Sequence, residues 1–194
     1  GGQTLDEGFT WDKTSRWGRY ETLRTYSRPP ASEEQTPEDA YLPFTRENLS
    51  VMEDWFQDHP ETKFEIFFSP YSILAWDRSL RQGDLDARIM ALREAFRTLT
   101  RWPNVRVHTP LFAVDMVTNL NNYCDYVHHS GEAGKWVLGN VCAEKFLLRE
   151  EDIEKTLAEW RDFVVHYDYD ALWDGEFWER WYEDHDQPPD WCKS

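Results

Sequence analysis

Phe64-Glu65-Ile66-Phe67-Phe68 runs straight into Ser69-Pro70-Tyr71-Ser72. The first part is short, aromatic-rich and bounded by Thr62-Lys63 and Ser69-Pro70, which predicts a buried strand. Downstream, Ile73 to Arg81 reads as a helix. Leu85, Ile89, Leu92, Phe96 and Leu99 then recur at steps of four and three, the strongest helical stripe in the chain. Trp102-Pro103-Asn104 stops it. Val105-Arg106-Val107-His108 follows as a second strand, closed by Thr109-Pro110. Strand, helical crossover and strand make the unit that yields parallel neighbours.

Upstream, Thr45 is placed to cap a helix carrying Leu49, Met52 and Phe56 and ended by His59-Pro60. Beyond the second strand, helix is expected from Gly131 to Leu148. Another is expected where Ile153, Leu157, Trp160 and Val164 mark one face. The class is α/β with a parallel sheet. Residues 1–45 read as an irregular, aromatic-rich arm, 46–166 as the α/β segment, and 167–194 as an acidic, Trp-rich tail forming a short helix or a strap. Pro29-Pro30 and Pro37 punctuate the arm as loop, and its aromatics, from Phe9 and Trp11 to Tyr41 and Phe44, predict packing against the rest.

The chain has 194 residues, 40% of them apolar, enough for a core. Its 21 Lys and Arg against 37 Asp and Glu leave −16, a field that repels phosphate backbones and argues against nucleic acid as a partner. No apolar run approaches the roughly 20 residues of a spanning helix. Cys124, Cys142 and Cys192 fit no zinc spacing, and three thiols cannot all pair within one chain. Eleven Trp suit sugar binding, but also cores and interfaces.

Ligands of open α/β sheets gather at the carboxyl ends of the strands. Those ends are Ser69 to Ser72 and Thr109-Pro110, and the segment Thr118 to Ser130 starts from the same edge. Within it, Asp125 and His128 are three apart in a turn before a helix that Ser130 can cap. That spacing lets the carboxylate hold one ring nitrogen and leave the other as a base. An ordinary surface turn has the same pattern. His128-His129 has no evident third ligand, so no metal and no cofactor are expected.

Ser69 and Ser72 are rival nucleophiles, or turn and cap residues. Asn121 and Asn122 can donate to a substrate carbonyl or sugar hydroxyls, or spend themselves on Asx turns. Tyr71 and Trp76 line a pocket or pack in the core. Asp77 reads as a carboxylate favouring its helix dipole, and His108 as exposed or loop-packed. Trp178 to Tyr182 can stack on sugar rings or close the domain as a strap.

Two stretches resemble a known superfamily. One is Phe67-Phe68-Ser69-Pro70-Tyr71-Ser72-Ile73-Leu74-Ala75-Trp76, followed by a long helix and Pro103-Asn104-Val105. The other is Asn119-Leu120-Asn121-Asn122-Tyr123-Cys124-Asp125-Tyr126-Val127-His128-His129-Ser130. Together they are similar to SGNH/GDSL-like hydrolases of bacterial cell envelopes, of the kind that serve lipoteichoic-acid D-alanylation and exopolysaccharide modification. The resemblance covers about residues 46–148.

It implies a flavodoxin-like three-layer sandwich in which Asp125 orients His128, the base of a Ser-His-Asp triad. The substrates it implies are ester-linked groups on envelope polymers, hydrolysed or transferred, outside the cell behind an upstream anchor. The family's Gly-Asp-Ser motif has no counterpart, since Gly83-Asp84-Leu85 lacks the Ser and begins a helix. The chain, which opens Gly1-Gly2, therefore reads as the C-terminal half of such a domain, its nucleophile expected from an N-terminal half or a second polypeptide. The alternative is a non-catalytic module that binds a polysaccharide or a protein through Tyr71, Trp76, Asn121 and Asn122. A domain of unrelated function with a chance Asp-x-x-His is the remaining reading.

Overall fold

The computed structural model describes residues 16–193. Phe9 and Trp11 of the arm lie outside the described residues. The sheet has three strands in the order β1 (Phe64–Phe67), β2 (Val105–His108), β3 (Leu147–Leu148). β1 and β2 are parallel, in register from Phe64 opposite Val105 to Phe67 opposite His108. The expectation from the crossover holds. β3 is antiparallel to β2, with Val107 opposite Leu148. Among the described residues β1 pairs only with β2, and Phe67 on this edge is 42% exposed.

Eight helices surround this sheet among the described residues. They are α1 (Arg19–Thr25), α2 (Leu42–Asp58), α3 (Ile73–Gln82), α4 (Leu85–Thr100), the single turn α5 (Val114–Val117), α6 (Gly131–Cys142), α7 (Ile153–His166) and α8 (Gly175–Asp184). α4 is central. Its Leu85, Ile89, Phe96 and Leu99 are buried, as its stripe requires, and it packs on α2, α3, α7 and β2. α7 buries Ile153, Leu157, Trp160 and Val164, the face expected of it. Burying a side chain such as Leu157 contributes about 1.5–3 kcal/mol.

Aromatic rings knit the layers together. Phe56 of α2 meets Phe64 of β1 at 4.9 Å, and Phe68 meets Phe96 at 4.9 Å. Trp160 meets Trp76 at 5.3 Å and Phe112 at 5.2 Å. Much of the tryptophan content is therefore core.

Several boundaries differ from expectation. α2 begins at Leu42, not after Thr45. Pro43 fits the first turn, where its missing N–H costs nothing, and the Thr45 hydroxyl donates back to the Tyr41 carbonyl at 2.8 Å instead of capping. Part of the arm is helical as α1, whose seven residues are too few to show periodicity and are held by packing. Tyr20, Leu23 and Tyr26 are buried there. The proline-rich connection from 27 to 37 is loop, as expected.

The helix expected to run to Leu148 stops at Cys142. Glu144 adopts a left-handed φ of 56° and turns the chain back, so that Leu147 and Leu148 pair with β2. The tail forms α8, capped by Asp174 Oδ1 accepting from the Phe177 amide at 3.1 Å. Phe177 and Trp181 are buried in the core, which makes this segment a strap. Trp178 is half-buried and Tyr182 exposed. Cys142 and Cys192 are exposed and Cys124 is half-buried. Among the described residues no helix is long and apolar enough to cross a membrane.

Candidate functional site

The chain leaves β2 through Thr109, passes α5 and a 3-10 turn at Leu120–Asn122, and reaches a loop before α6. An isolated antiparallel bridge between Tyr123 and His129 pinches this loop. The Cys124 amide donates to the His128 carbonyl at 3.1 Å, and the Ser130 amide to Asn122 at 2.8 Å. Ser130 then caps α6, accepting from the Ala133 amide at 3.2 Å. The loop tip that results carries Asp125 and His128.

Asp125 closes an Asx turn, its Oδ1 accepting from the amides of Val127 at 2.9 Å and His128 at 2.8 Å. Oδ2 is left for the imidazole, and His128 Nδ1 lies 2.6 Å from it. An ionised carboxylate only accepts, so Nδ1 carries the proton and Nε2 is the basic nitrogen. The His128 side chain is 56% exposed and that of Asp125 32%. Partial burial acts to raise the Asp125 carboxyl. The hydrogen bonds from the His128 ring and from the Val127 and His128 amides outweigh it, so the group titrates below the usual carboxylate range.

The loop is fastened to the carboxyl end of β1. Tyr123, wholly buried, donates its phenol to the Pro70 carbonyl at 2.7 Å. Ser72 donates both its amide, at 3.2 Å, and its hydroxyl, at 2.8 Å, to the Tyr126 carbonyl. From the other side, Thr22 Oγ1 reaches the carbonyls of Tyr123 at 2.8 Å and Leu120 at 3.2 Å. Parallel pairing puts the ends of β1 and β2 at one sheet edge, and these hydrogen bonds hold the loop of Asp125 to His128 beside Ser69 to Ser72 there.

Individual residues fare differently. Ser72 is fully buried with its hydroxyl engaged, so it is not presented as a nucleophile. Ser69 is half-buried and Tyr71 is 44% exposed at the edge. Trp76 is a core residue against Trp160, not a pocket wall. Asn122 turns its amide inward to the Met116 carbonyl at 3.2 Å, which removes it as a substrate donor. Asn121 accepts from the Arg19 amide at 3.0 Å and borders a groove of about 330 Å³ with Arg19, Tyr20 and Arg180. Among the described residues no three His, Cys, Asp or Glu converge as a metal site.

Two polar centres escaped the sequence reading. Asp77, read as a carboxylate favouring its helix dipole, lies beyond the first turn of α3 and serves as a buried ion-pair partner instead. It is buried, and it accepts from Tyr26 at 3.0 Å and from Arg28 at 3.0 and 3.1 Å. The available signal was a carboxylate directly after the unbroken apolar run Ile73-Leu74-Ala75-Trp76. His108 is fully buried rather than exposed, because β1, β2 and β3 close around it. Its Nε2 lies 2.6 Å from Glu65 Oε2 on the neighbouring strand. In-register parallel pairing puts residues 65 and 106 opposite each other and brings 108 within reach.

Comparison of the chain with family models, with curated proteins and with solved structures finds no match.

Proposed function

We propose that this chain carries the acid–base half of an SGNH-like site in a flavodoxin-like sandwich, acting on ester-linked groups of extracellular envelope polymers by hydrolysis or acyl transfer. The observation that carries the reading is the 2.6 Å contact between Asp125 Oδ2 and the Nδ1 of an imidazole that is more than half exposed. A carboxylate held by two backbone amides is a rigid orienter. It fixes the tautomer and stabilises the imidazolium that forms in acyl transfer. His128 Nε2 takes the proton of a serine hydroxyl as its oxygen attacks the ester carbonyl, then returns the proton to the departing alkoxide.

The serine comes from a segment that precedes this chain in the native polypeptide. Among the described residues β1 is paired on one side only, with Phe67 exposed on its other edge, which favours completion of the sheet by further chain. The substrate is a polysaccharide or another acylated polymer. Fluorophosphonate labelling with intact-mass detection tests the reading, on this chain and on the longest native polypeptide containing it. One adduct, abolished by His128→Ala and slowed by about 10⁴ in Asp125→Asn, is the expected result. An adduct indifferent to His128→Ala, or unmodified mass in both folded samples, refutes it.

The groove beside Asn121, lined by Tyr20 and two arginines, favours a second reading. In that reading the chain is a non-catalytic module holding a polysaccharide or a protein, and neither sample labels.

A further inference from the structure

α3 begins without the usual cap. Ser72 occupies the N-cap position with extended backbone (φ −64°, ψ 162°), where a serine oxygen ordinarily accepts from an amide of its own first turn. It makes no such bond. Its hydroxyl instead donates at 2.8 Å to the carbonyl of Tyr126, 54 residues away in sequence, and its amide donates to the same oxygen. A buried hydroxyl has thus been taken from local helix capping and spent on the loop that holds Asp125 and His128.

The Tyr126 carbonyl is not an arbitrary anchor. It belongs to the same planar peptide unit as the Val127 N–H, and that N–H donates to Asp125 Oδ1 at 2.9 Å. Fixing the oxygen at one end of the plane aims the amide at the other. Hydrogen bonding at the carbonyl also polarises the amide and strengthens its donation. The relay runs from the Ser72 hydroxyl to the Tyr126 carbonyl, through the peptide to the Val127 amide and Asp125 Oδ1. From Asp125 Oδ2 it reaches His128 Nδ1 at 2.6 Å. Tyr123 adds a second fastener in the opposite direction, from the loop to Pro70.

We infer that Ser72 is a positioning residue for the Asp125–His128 pair, acting through the Tyr126–Val127 peptide; the inference rests on the acid–base role proposed for that pair. Because the hydroxyl does not cap α3, its removal leaves the helix start unchanged and acts on the loop.

The test is proton NMR of the His128 Nδ1–H, followed by its exchange with water. In the unsubstituted chain this downfield resonance is present and is lost in Asp125→Asn. Ser72→Ala is expected to speed its exchange about tenfold, the size of one lost hydrogen bond. Ser79→Ala removes another fully buried hydroxyl of α3, bonded to Asp84, and is expected to leave the resonance unchanged. Ser72→Cys replaces the hydroxyl by a weak donor at nearly the same volume and is expected to act as Ser72→Ala does, so the inference stays testable if Ser72→Ala does not fold.

Exchange within about twofold of the unsubstituted chain in Ser72→Ala, or in Ser72→Cys where only that variant folds, overturns the inference alone. An equal effect of Ser79→Ala overturns it too, since the response is then general loosening. Absence of the resonance from the unsubstituted chain overturns the inference together with the proposed role of Asp125 and His128.

Discussion

Asp77→Ala removes a buried carboxylate that Tyr26, Arg28 and Arg81 all face. The carboxylate is 1% exposed and accepts from Tyr26 at 3.0 Å and from the Arg28 guanidinium at 3.0 and 3.1 Å, with Arg81 Nε at 3.4 Å. It pins the chain after α1 onto α3. Burial, and after it the Asp77 charge and hydrogen bond, push the Tyr26 phenol far above its ordinary value, so it stays a donor at every physiological pH. Removing the carboxylate strands the Arg28 charge, 12% exposed, together with the Tyr26 hydroxyl.

Breaking a buried pair from one side costs about 3–5 kcal/mol. Arg28 keeps Asp170 at 2.6 Å, but that carboxylate is 85% exposed and its attraction is screened by water. The expected loss therefore lies at the lower end, about 3 kcal/mol. For a chain of this size it lowers Tm by about 6–12 °C. Urea unfolding followed by tryptophan fluorescence measures it. The double substitution Asp77→Leu with Arg28→Met, which removes both charges, is expected to recover to within about 1 kcal/mol of the unsubstituted chain. A loss below about 1 kcal/mol in Asp77→Ala, or a double variant no better than the single, refutes the account.

Three further predictions follow from single sites. The Asp125 carboxyl titrates lower folded than unfolded. Its contribution is therefore complete above the ordinary carboxylate value and is lost as pH falls through the folded one. Asp125→Asn should flatten the acid limb of a stability–pH curve while leaving its slope above neutrality unchanged, and an unaltered acid limb contradicts the Asx turn. Trp160→Ala, at the meeting point of Trp76, Phe112 and Phe163, is expected to cost about 3–5 kcal/mol in the same urea assay. Gly83→Ala puts a Cβ at φ +73° against the Glu34 carbonyl and should cost at least about 1–2 kcal/mol; a neutral result means that the loop before α2 yields freely.

The local pattern was enough for the parts that depend on period and punctuation. The strands at Phe64 and Val105 are legible because turn residues bound short apolar runs, although β1 is a half-exposed edge and not the buried strand its aromatic run predicts. The α4 stripe from Leu85 to Leu99 and the buried face of α7 are legible because a buried face repeats at a fixed step. The Asp125–His128 pair was legible for the same reason: both partners lie within one turn, so residue type and spacing nearly define the contact.

What escaped were features that exist only once distant segments meet. α1 is too short to announce itself and is held by Thr22, whose hydroxyl bonds to the carbonyls of Leu120 and Tyr123. Leu147 and Leu148 continue an apolar run that suits a helix, yet the left-handed turn at Glu144 and the free side of β2 draw them into the sheet. His108 looked like a strand's outward residue, and Asp77 like a helix-start carboxylate. Their burial is set by Glu65, Arg28 and Tyr26, which lie 43 to 51 residues away. Sequence by itself determines which residues can form a face, a cap or a turn, because those rest on bonds between near neighbours. Which polar groups end up sealed inside, and that Ser72 braces a loop instead of capping its helix, is decided by the tertiary structure. Desolvation is a property of what packs around a group, not of the group itself.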